Sequence, residues 1–341
     1  MTRVMQVMAG ADRGGAEAFF ERLVPALSRA GVEQAVVIRR NAARKRLLEQ
    51  SGVAPIELPF GGAFDLVTKR ALRRETARYQ PQIQLAWMSR AAKFCGTNGH
   101  VLAARLGGYY DLKNYRHCDH LIGNTRDIRD YLIRQGWPQE KAWHLPNFVD
   151  ATPAQPIDRA SLDTPADAPL LLALGRLHRN KGFEILLDAL AQVPNAFLWL
   201  AGDGPLKQSL RQDAERLGIA ARVRFLGWRT DIPALFAAAN MLVCPSRHEP
   251  FGNVVIESWA HNRPVIAAAA QGPAALIADG ENGLLVPIED ADALAKAITR
   301  VTHAPDLAAT LVAGGHIAYE NGFTEAAVVT QYREFFEKVK H

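Results

Sequence analysis

Cysteine is scarce in this chain: three residues in 341, an odd number, set far apart at Cys95, Cys118 and Cys244. That argues against a disulfide scaffold or a cysteine-rich metal site. Buried free thiols in a reducing cytoplasm are expected instead. No apolar run approaches the length of a membrane-spanning helix. The first ten residues, Met1 to Gly10, carry a short strand-like run rather than the long apolar core of a secretory leader. A cytoplasmic protein is therefore expected, soluble or held at the inner face of the membrane. Two nucleotide signatures are also missing. Gly10-Ala-Asp-Arg-Gly-Gly15 lacks the dinucleotide glycine spacing, which disfavours a nicotinamide dehydrogenase, and Gly175-Arg-Leu-His-Arg-Asn-Lys-Gly182 is not a Walker loop.

The chain is long enough for two domains of ordinary size, and its composition, 48% hydrophobic and 22% charged, is globular. Short apolar runs alternate with helical patterns through both halves. Strands are expected at Val4–Met8, Gln34–Ile38, Gln84–Trp87, Val101–Ala104 and His120–Gly123. A second set is expected at Leu170–Leu174, Phe197–Ala201, Val223–Leu226, Met241–Cys244, Pro264–Ala267 and Gly283–Val286. Such alternation implies parallel sheets with helices on both faces. We expect an α/β protein of two Rossmann-like, doubly wound domains facing across a cleft. Residues 1–150 form the first, 151–169 a Pro/Ala/Asp-rich linker and 170–325 the second. A final helix over about 326–341, striped with Tyr332, Phe335, Phe336 and Val339, could pack on either domain.

Charge divides unevenly. Residues 1–150 hold 23 Lys and Arg against 14 Asp and Glu, an excess of nine, while the remainder is net acidic. Clusters at Arg39-Arg40, Arg44-Lys45-Arg46, Lys69-Arg70 and Arg73-Arg74 suggest an anionic partner such as phospholipid or a phosphorylated glycan, unless they are simply a solvated surface. Nucleic acid is not expected, because no binding motif or interleaved aromatics accompany the charge.

The chemistry concentrates in Glu249-Pro-Phe-Gly-Asn-Val-Val-Ile-Glu257, after the apolar run Met241–Pro245. Pro250 and Gly252 punctuate a strand-to-helix turn. The backbone N–H groups of Gly252, Asn253 and Val254 would open a helix, where they can bind an anionic or hydroxylated ligand. Glu249 would project from the loop and Glu257 from the second helical turn. Vicinal hydroxyls suit such carboxylates; a helix cap and a solvated acid would also fit. Arg176 and Lys181 follow the strand Leu170–Leu174, where a diphosphate needs positive charge, or they are solvated loop cations. Gly202-Asp-Gly-Pro205 reads as a structural turn. Trp228 is left between core and nucleobase.

These motifs occur in one order with Gly14-Gly-Ala-Glu17, Pro264-Val-Ile266 and Asp279-Gly-Glu-Asn-Gly-Leu-Leu-Val286. As an ensemble the chain resembles the retaining, nucleotide-sugar-dependent glycosyltransferases of the GT-B fold, the type with two glutamates eight positions apart. The resemblance spans nearly the whole length and is strongest over 170–290. It implies that Glu257 accepts ribose hydroxyls and that Glu249 contacts the donor sugar. Phe251, Gly252, Asn253 and Val254 would offer backbone amides. Arg176 and Lys181 would stabilise the leaving diphosphate, Gly15 would approach it from the first domain, and the final helix would return to that domain. The donor would be a UDP-sugar, or next a GDP-sugar. The acceptor would be an anionic glycan or glycolipid such as lipopolysaccharide core, on a membrane surface. No cofactor or metal would be needed. Two departures stand out. Relatives often carry a histidine where this chain has Gly107, which leaves Arg105, Tyr109 and Asp111 as acceptor-side candidates. Gly272-Pro-Ala-Ala275 replaces a Gly-Gly…Glu turn. Other readings are a non-catalytic sugar-nucleotide-binding protein, motivated by the missing histidine, and a nucleotide-sugar epimerase of the same fold.

Overall fold

The computed structural model describes residues 2–12, 14–62, 65–97 and 99–340. Two compact units emerge, Met1–Phe148 with Thr324–His341, and Val149–Phe323. In the first, strands β1 (Arg3–Met8), β2 (Glu33–Arg39), β3 (Ile56–Leu58), β4 (Ile83–Trp87), β5 (Val101–Leu106), β6 (His120–Gly123) and β7 (Ala142–His144) alternate with helices. The helices are α1 (Gly15–Arg29), α2 (Ala42–Gln50), α3 (Leu66–Tyr79), α4 (Met88–Phe94) and α5 (Arg126–Arg134). All pairings are parallel, in the order β3-β2-β1-β4-β5-β6-β7. The period-two alternation of strand side chains divides the apolar runs between two cores. Val4, Met8, Leu85 and Trp87 face α1; Met5, Val7 and Ala86 share the other face with Leu72 of α3 and Ile128 of α5.

The second unit repeats the plan. Strands β8 (Leu170–Leu174), β9 (Phe197–Ala201), β10 (Val223–Gly227), β11 (Met241–Cys244), β12 (Val265–Ala268) and β13 (Leu284–Val286) form a parallel sheet ordered β10-β9-β8-β11-β12-β13. Around it lie α6 (Phe183–Ala191), α7 (Lys207–Arg216), α8 (Ile232–Ala238), α9 (Asn253–Ala260), α10 (Gln271–Leu276), α11 (Ala291–His303) and α12 (Pro305–Gly322). Every residue of β8 and of β11 is buried, as continuous apolar runs require of central parallel strands. The stretch 151–169, read from the sequence as a linker, packs onto this unit. Arg159 donates to the carbonyls of Ala166, Ala168 and Ala238 and to Asn240, closing the segment against α8 and the entry to β11.

The last helix, α13 (Glu325–Val339), belongs to the first unit, with Tyr332, Phe335, Phe336 and Val339 all in its core. Arg105 anchors it. That guanidinium is 1% exposed, donates from Nε to the Tyr332 hydroxyl at 2.8 Å and from Nη2 to Asn147, and lies over the rings of Phe19 and Trp87 at 4.7 and 4.9 Å. Neutral acceptors and aromatic faces thus replace its hydration. All three cysteines are free and buried, as expected, and burial pushes the Cys118 thiol up to about 12. Among the described residues no helix is long and apolar enough to cross a membrane.

Arg105→Ala should destabilise the first unit by about 3 kcal/mol, because it removes the buried partner of the Tyr332 hydroxyl and opens a cavity. Urea melts would read this, and a cost below about 1 kcal/mol would contradict the anchoring role. A pH dependence also follows. Burial and the neighbouring Arg126 and Arg129 push His144 down to about 4 from 6.5. The unfolded chain therefore binds more protons between those values, so stability should rise with pH across that window. His144→Asn should flatten that part of the curve in melts taken at successive pH values.

Candidate functional site

Strand order fixes where a ligand would sit in the second unit. From β8 the chain winds outward through β9 to β10, and from β11 the opposite way through β12 to β13, so the order reverses between β8 and β11. Loops leaving the carboxyl ends of two such strands diverge and open a crevice, the usual ligand position in doubly wound sheets. The loops here are residues 175–182 and 245–252, the two that carry Arg176, Lys181 and Glu249.

These loops are bound to one another. The Lys181 ammonium pairs with the Glu249 carboxylate, with their side chains 23% and 13% exposed, so the pair is sheltered yet reachable from solvent. Burial opposes the Lys181 charge, but Glu249, with help from Cys244 and Glu257, outweighs it and raises the lysine above its ordinary value. It is a fixed cation at neutral pH. The Asn180 carbonyl accepts the backbone N–H groups of Arg247 and His248 at 2.9 and 3.1 Å. Arg247, which the sequence reading passed over, donates to the Arg179 carbonyl at 2.8 Å and pairs with Glu184 and Glu289. Its only sequence signal is its place beside Ser246 in the loop. Arg176 is exposed and makes no ion pair among the described residues.

Gly252 turns the second loop into α9. Its φ of +91° lies in the left-handed region, where a side chain would be strained. Asn253 and Val254 form the first turn of α9, and the amides there have no carbonyl one turn earlier in the same helix. Glu257 sits partly buried on the following turn, while Phe251 is packed into the core. Gly272, part of the departure noted in the sequence, supports this turn. Its N–H donates to the Glu249 carbonyl at 2.7 Å, and a Cβ there would meet the backbone of Phe251 and Glu249. Gly202-Asp-Gly-Pro205 is structural, as expected: the Leu177 N–H donates to the Asp203 carbonyl and the Gly202 N–H to Gly227. Trp228 is 54% exposed, which excludes the core reading. An Asp-x-Asp triplet, Asp290-Ala-Asp292, serves structure: Asp290 caps α11 through the Ala293 N–H and Asp292 accepts from Gln192. Among the described residues no three His, Cys, Asp or Glu side chains converge as metal ligands.

In the first unit the order reverses between β1 and β4, and the Gly10–Gly15 loop leaves β1 at that point. Arg13 of this loop lies outside the described residues. Gly15 is the exposed first residue of α1. The loop is braced from beneath by Glu17, 5% exposed, whose carboxylate accepts the Ala11 N–H at 2.7 Å and abuts Gly10 and Gly14. Arg44 adds a second brace, pairing with Glu21 at 2.8 Å and donating to the Ala11 carbonyl at 3.0 Å. Its charge is therefore spent inside the protein, which corrects its inclusion in a surface basic cluster. The acceptor-side candidates are not brought together. Arg105 is buried in the core and engaged with α13, so it presents nothing to a ligand. Tyr109 donates to Asp127, and the exposed Asp111 caps a short turn through Lys113. His117 bonds the Ala92 carbonyl at 2.8 Å.

Because Gly272 buttresses the Glu249 carbonyl, Gly272→Ala should displace that loop. A cost of about 1–3 kcal/mol is expected from overpacking. Melting curves would read it, and an unchanged stability would show that the turn yields freely.

Comparison with known proteins agrees with this geometry. The family profile for group 1 glycosyl transferases matches residues 168–303, and that for glycosyltransferase family 4 matches residues 13–152. The lipopolysaccharide core biosynthesis glycosyltransferase LpsE of Rhizobium meliloti is 38% identical over 94% of both chains. LpsD of the same organism is 35% identical over 98% of both. Among solved structures, HepE of Anabaena in complex with UDP-glucose superposes with a TM-score of 0.86 over 99% of this chain and 100% of its own, at 24% identity. On the strength of these full-length relatives and of the paired parallel α/β units, the chain belongs to the group 1 glycosyltransferases of the GT-B fold.

Proposed function

We propose that this glycosyltransferase moves a hexosyl group from a UDP-sugar, with a GDP-sugar as the second choice, to a hydroxyl of an anionic glycan or glycolipid of the lipopolysaccharide-core kind, with retention of anomeric configuration. The carrying observation is the Lys181–Glu249 pair at the β8/β11 reversal, beside Arg176 and the N-terminus of α9. Glu257 would hold the ribose hydroxyls of the donor, and Glu249, fixed by Lys181, a hydroxyl of its sugar. The amides of Phe251, Gly252, Asn253 and Val254 would serve the sugar and the diphosphate, and Gly15, bare of a side chain, would let a ligand approach the backbone of the β1 loop closely.

Bond breaking leaves negative charge on the departing diphosphate. Arg176, Lys181 and the positive end of the α9 dipole would stabilise that charge, and preorganised stabilisation of this kind is usually the largest catalytic contribution. The departing phosphate oxygen can take the acceptor's proton on the same face. The sugar–oxygen bond then forms where the old one broke, with no separate strong base and no metal. HepE was crystallised with UDP-glucose, which supports uridine as the first donor base to try.

LpsE and LpsD are named for lipopolysaccharide core biosynthesis, which supports a glycan acceptor. The positive excess of residues 1–150 supports an anionic one, offered at the inner membrane surface. Tyr109 and Asp111 remain acceptor-side candidates on that unit, and Arg105 is set aside.

Proton NMR of the product formed from an α-linked UDP-hexose should show an α-anomer, and an inverted anomer would overturn the retaining mechanism. Lys181→Ala should lower kcat about 100- to 1,000-fold. Donor binding without turnover on any acceptor glycan would mark a sugar-nucleotide-binding protein instead. Acceptor KM should rise in about 0.5 M salt, and a KM that ignores salt would remove the electrostatic argument for the acceptor.

A further inference from the structure

The first unit holds a polar cavity beneath the central strands of its sheet, at the end away from the Gly10–Gly15 loop. About 210 Å³ in volume, it is walled by Lys69, Leu72, Arg73 and Thr76 on one stripe of α3, by Lys93 and Phe94 at the end of α4, and by Gln84 at the start of β4. A larger recess of about 830 Å³ adjoins it, sharing Arg73, Thr76 and His100 and reaching Arg3 at the start of β1 and Val101 at the start of β5. Both lie at the amino ends of the parallel strands, whereas loops that carry ligand chemistry leave from the carboxyl ends.

Two independent features point to a ligand. The smaller cavity is lined by three basic side chains, Lys69, Arg73 and Lys93, and by no carboxylate, and none of the three forms an ion pair among the described residues. Exposed Arg and Lys ordinarily sit in water or beside an acid, so their convergence on an acid-free hollow favours an oxyanion. The second feature is Gln84, which is 1% exposed, with a side-chain oxygen that is buried and lacks a hydrogen-bond partner among the described residues.

The orientation of that amide is set by its neighbours. The Thr76 hydroxyl has a single proton and donates it to the Leu72 carbonyl at 2.8 Å, so it must accept from Gln84, whose Nε2 lies at 3.2 Å. The remaining amide atom is the oxygen, an acceptor in need of a donor. An unmet buried acceptor is destabilising, and a ligand hydroxyl would relieve that penalty.

We infer that this cavity is an accessory site for a hydroxylated oxyanion, specifically a phosphorylated sugar: phosphate oxygens on Lys69, Arg73 and Lys93, and a sugar hydroxyl donating to Gln84 Oε1. It stands independently of the donor-site roles. The same chemistry could come from a free sugar phosphate or from a phosphorylated residue within a glycan.

Thermal-shift and calorimetric titrations of the full chain with glucose 6-phosphate, inorganic phosphate and glucose test it. Glucose 6-phosphate should raise the melting temperature, inorganic phosphate less so and glucose not at all. Arg73→Ala and Lys93→Ala, both at exposed positions where folding is not at stake, should each weaken binding about tenfold. Gln84→Leu should weaken glucose 6-phosphate more than inorganic phosphate. Glu257→Ala should leave all of it intact, which separates this site from the donor crevice. No shift at about 10 mM ligand, binding unaltered in the Arg73 and Lys93 variants, binding lost in Glu257→Ala, or equal affinity for inorganic phosphate would each overturn the proposal. Competition by rough lipopolysaccharide, abolished after phosphatase treatment, would identify the glycan as the source. Absence of competition would identify the free sugar phosphate.

Discussion

The ion pair between Lys181 and Glu249 is the contact on which the geometry of the β8/β11 crevice depends. It joins the two loops that leave β8 and β11 in different directions, and it lies where a parallel sheet reverses its winding. Either charge alone would be unfavourable at that depth, since burial penalises an ion that lacks a partner. Together they stabilise each other and hold a cation and an acceptor side by side in one crevice. The neighbouring backbone contacts act in the same sense. Asn180 holds the Arg247-His248 peptide, and Gly272 holds the Glu249 carbonyl, so the loops are positioned by main chain as well as by side chain. This rigidity is what a preorganised electrostatic site requires.

The first unit uses polar groups differently. Arg105, Glu17 and Arg44 are all nearly buried, and each satisfies the backbone or side chains of its own unit. Arg105 attaches the terminal helix, while Glu17 and Arg44 shape the loop after β1. Their work is architectural. The cations left to face outward, including Lys69, Arg73 and Lys93, are those available for recognition.

Much of this was legible in the sequence where physics is local. Leu170–Leu174, Phe197–Ala201 and Met241–Cys244 are continuous apolar runs and form strands with the expected bounds, because central parallel strands are buried on both faces. The short edge strands Ile56–Leu58 and Ala142–His144 went unseen, since three residues carry no periodicity. The spacing of Glu249 and Glu257 around a Gly-punctuated turn marked the candidate loop, and Arg176 and Lys181 fell after a recognisable strand. Arg105 misled because strand β5 runs two residues further than its apolar stretch. An arginine read as opening a loop is there a strand residue facing the α13 side of the core. Arg44 misled for a related reason: charge counted along the chain says nothing of which side chains fold inward. Gln84 gave no signal at all, because an unmet acceptor exists only once three elements have packed around it.

The central claim is that the crevice at the β8/β11 reversal binds a nucleotide sugar. Calorimetric titration with UDP-, GDP- and ADP-glucose, wild type beside Glu257→Ala, tests it most directly. The account predicts saturable binding of the uridine donor, weakened at least about tenfold when the Glu257 carboxylate is removed. Equal affinity in the two proteins, or no binding of any of the three at millimolar concentration, would contradict it.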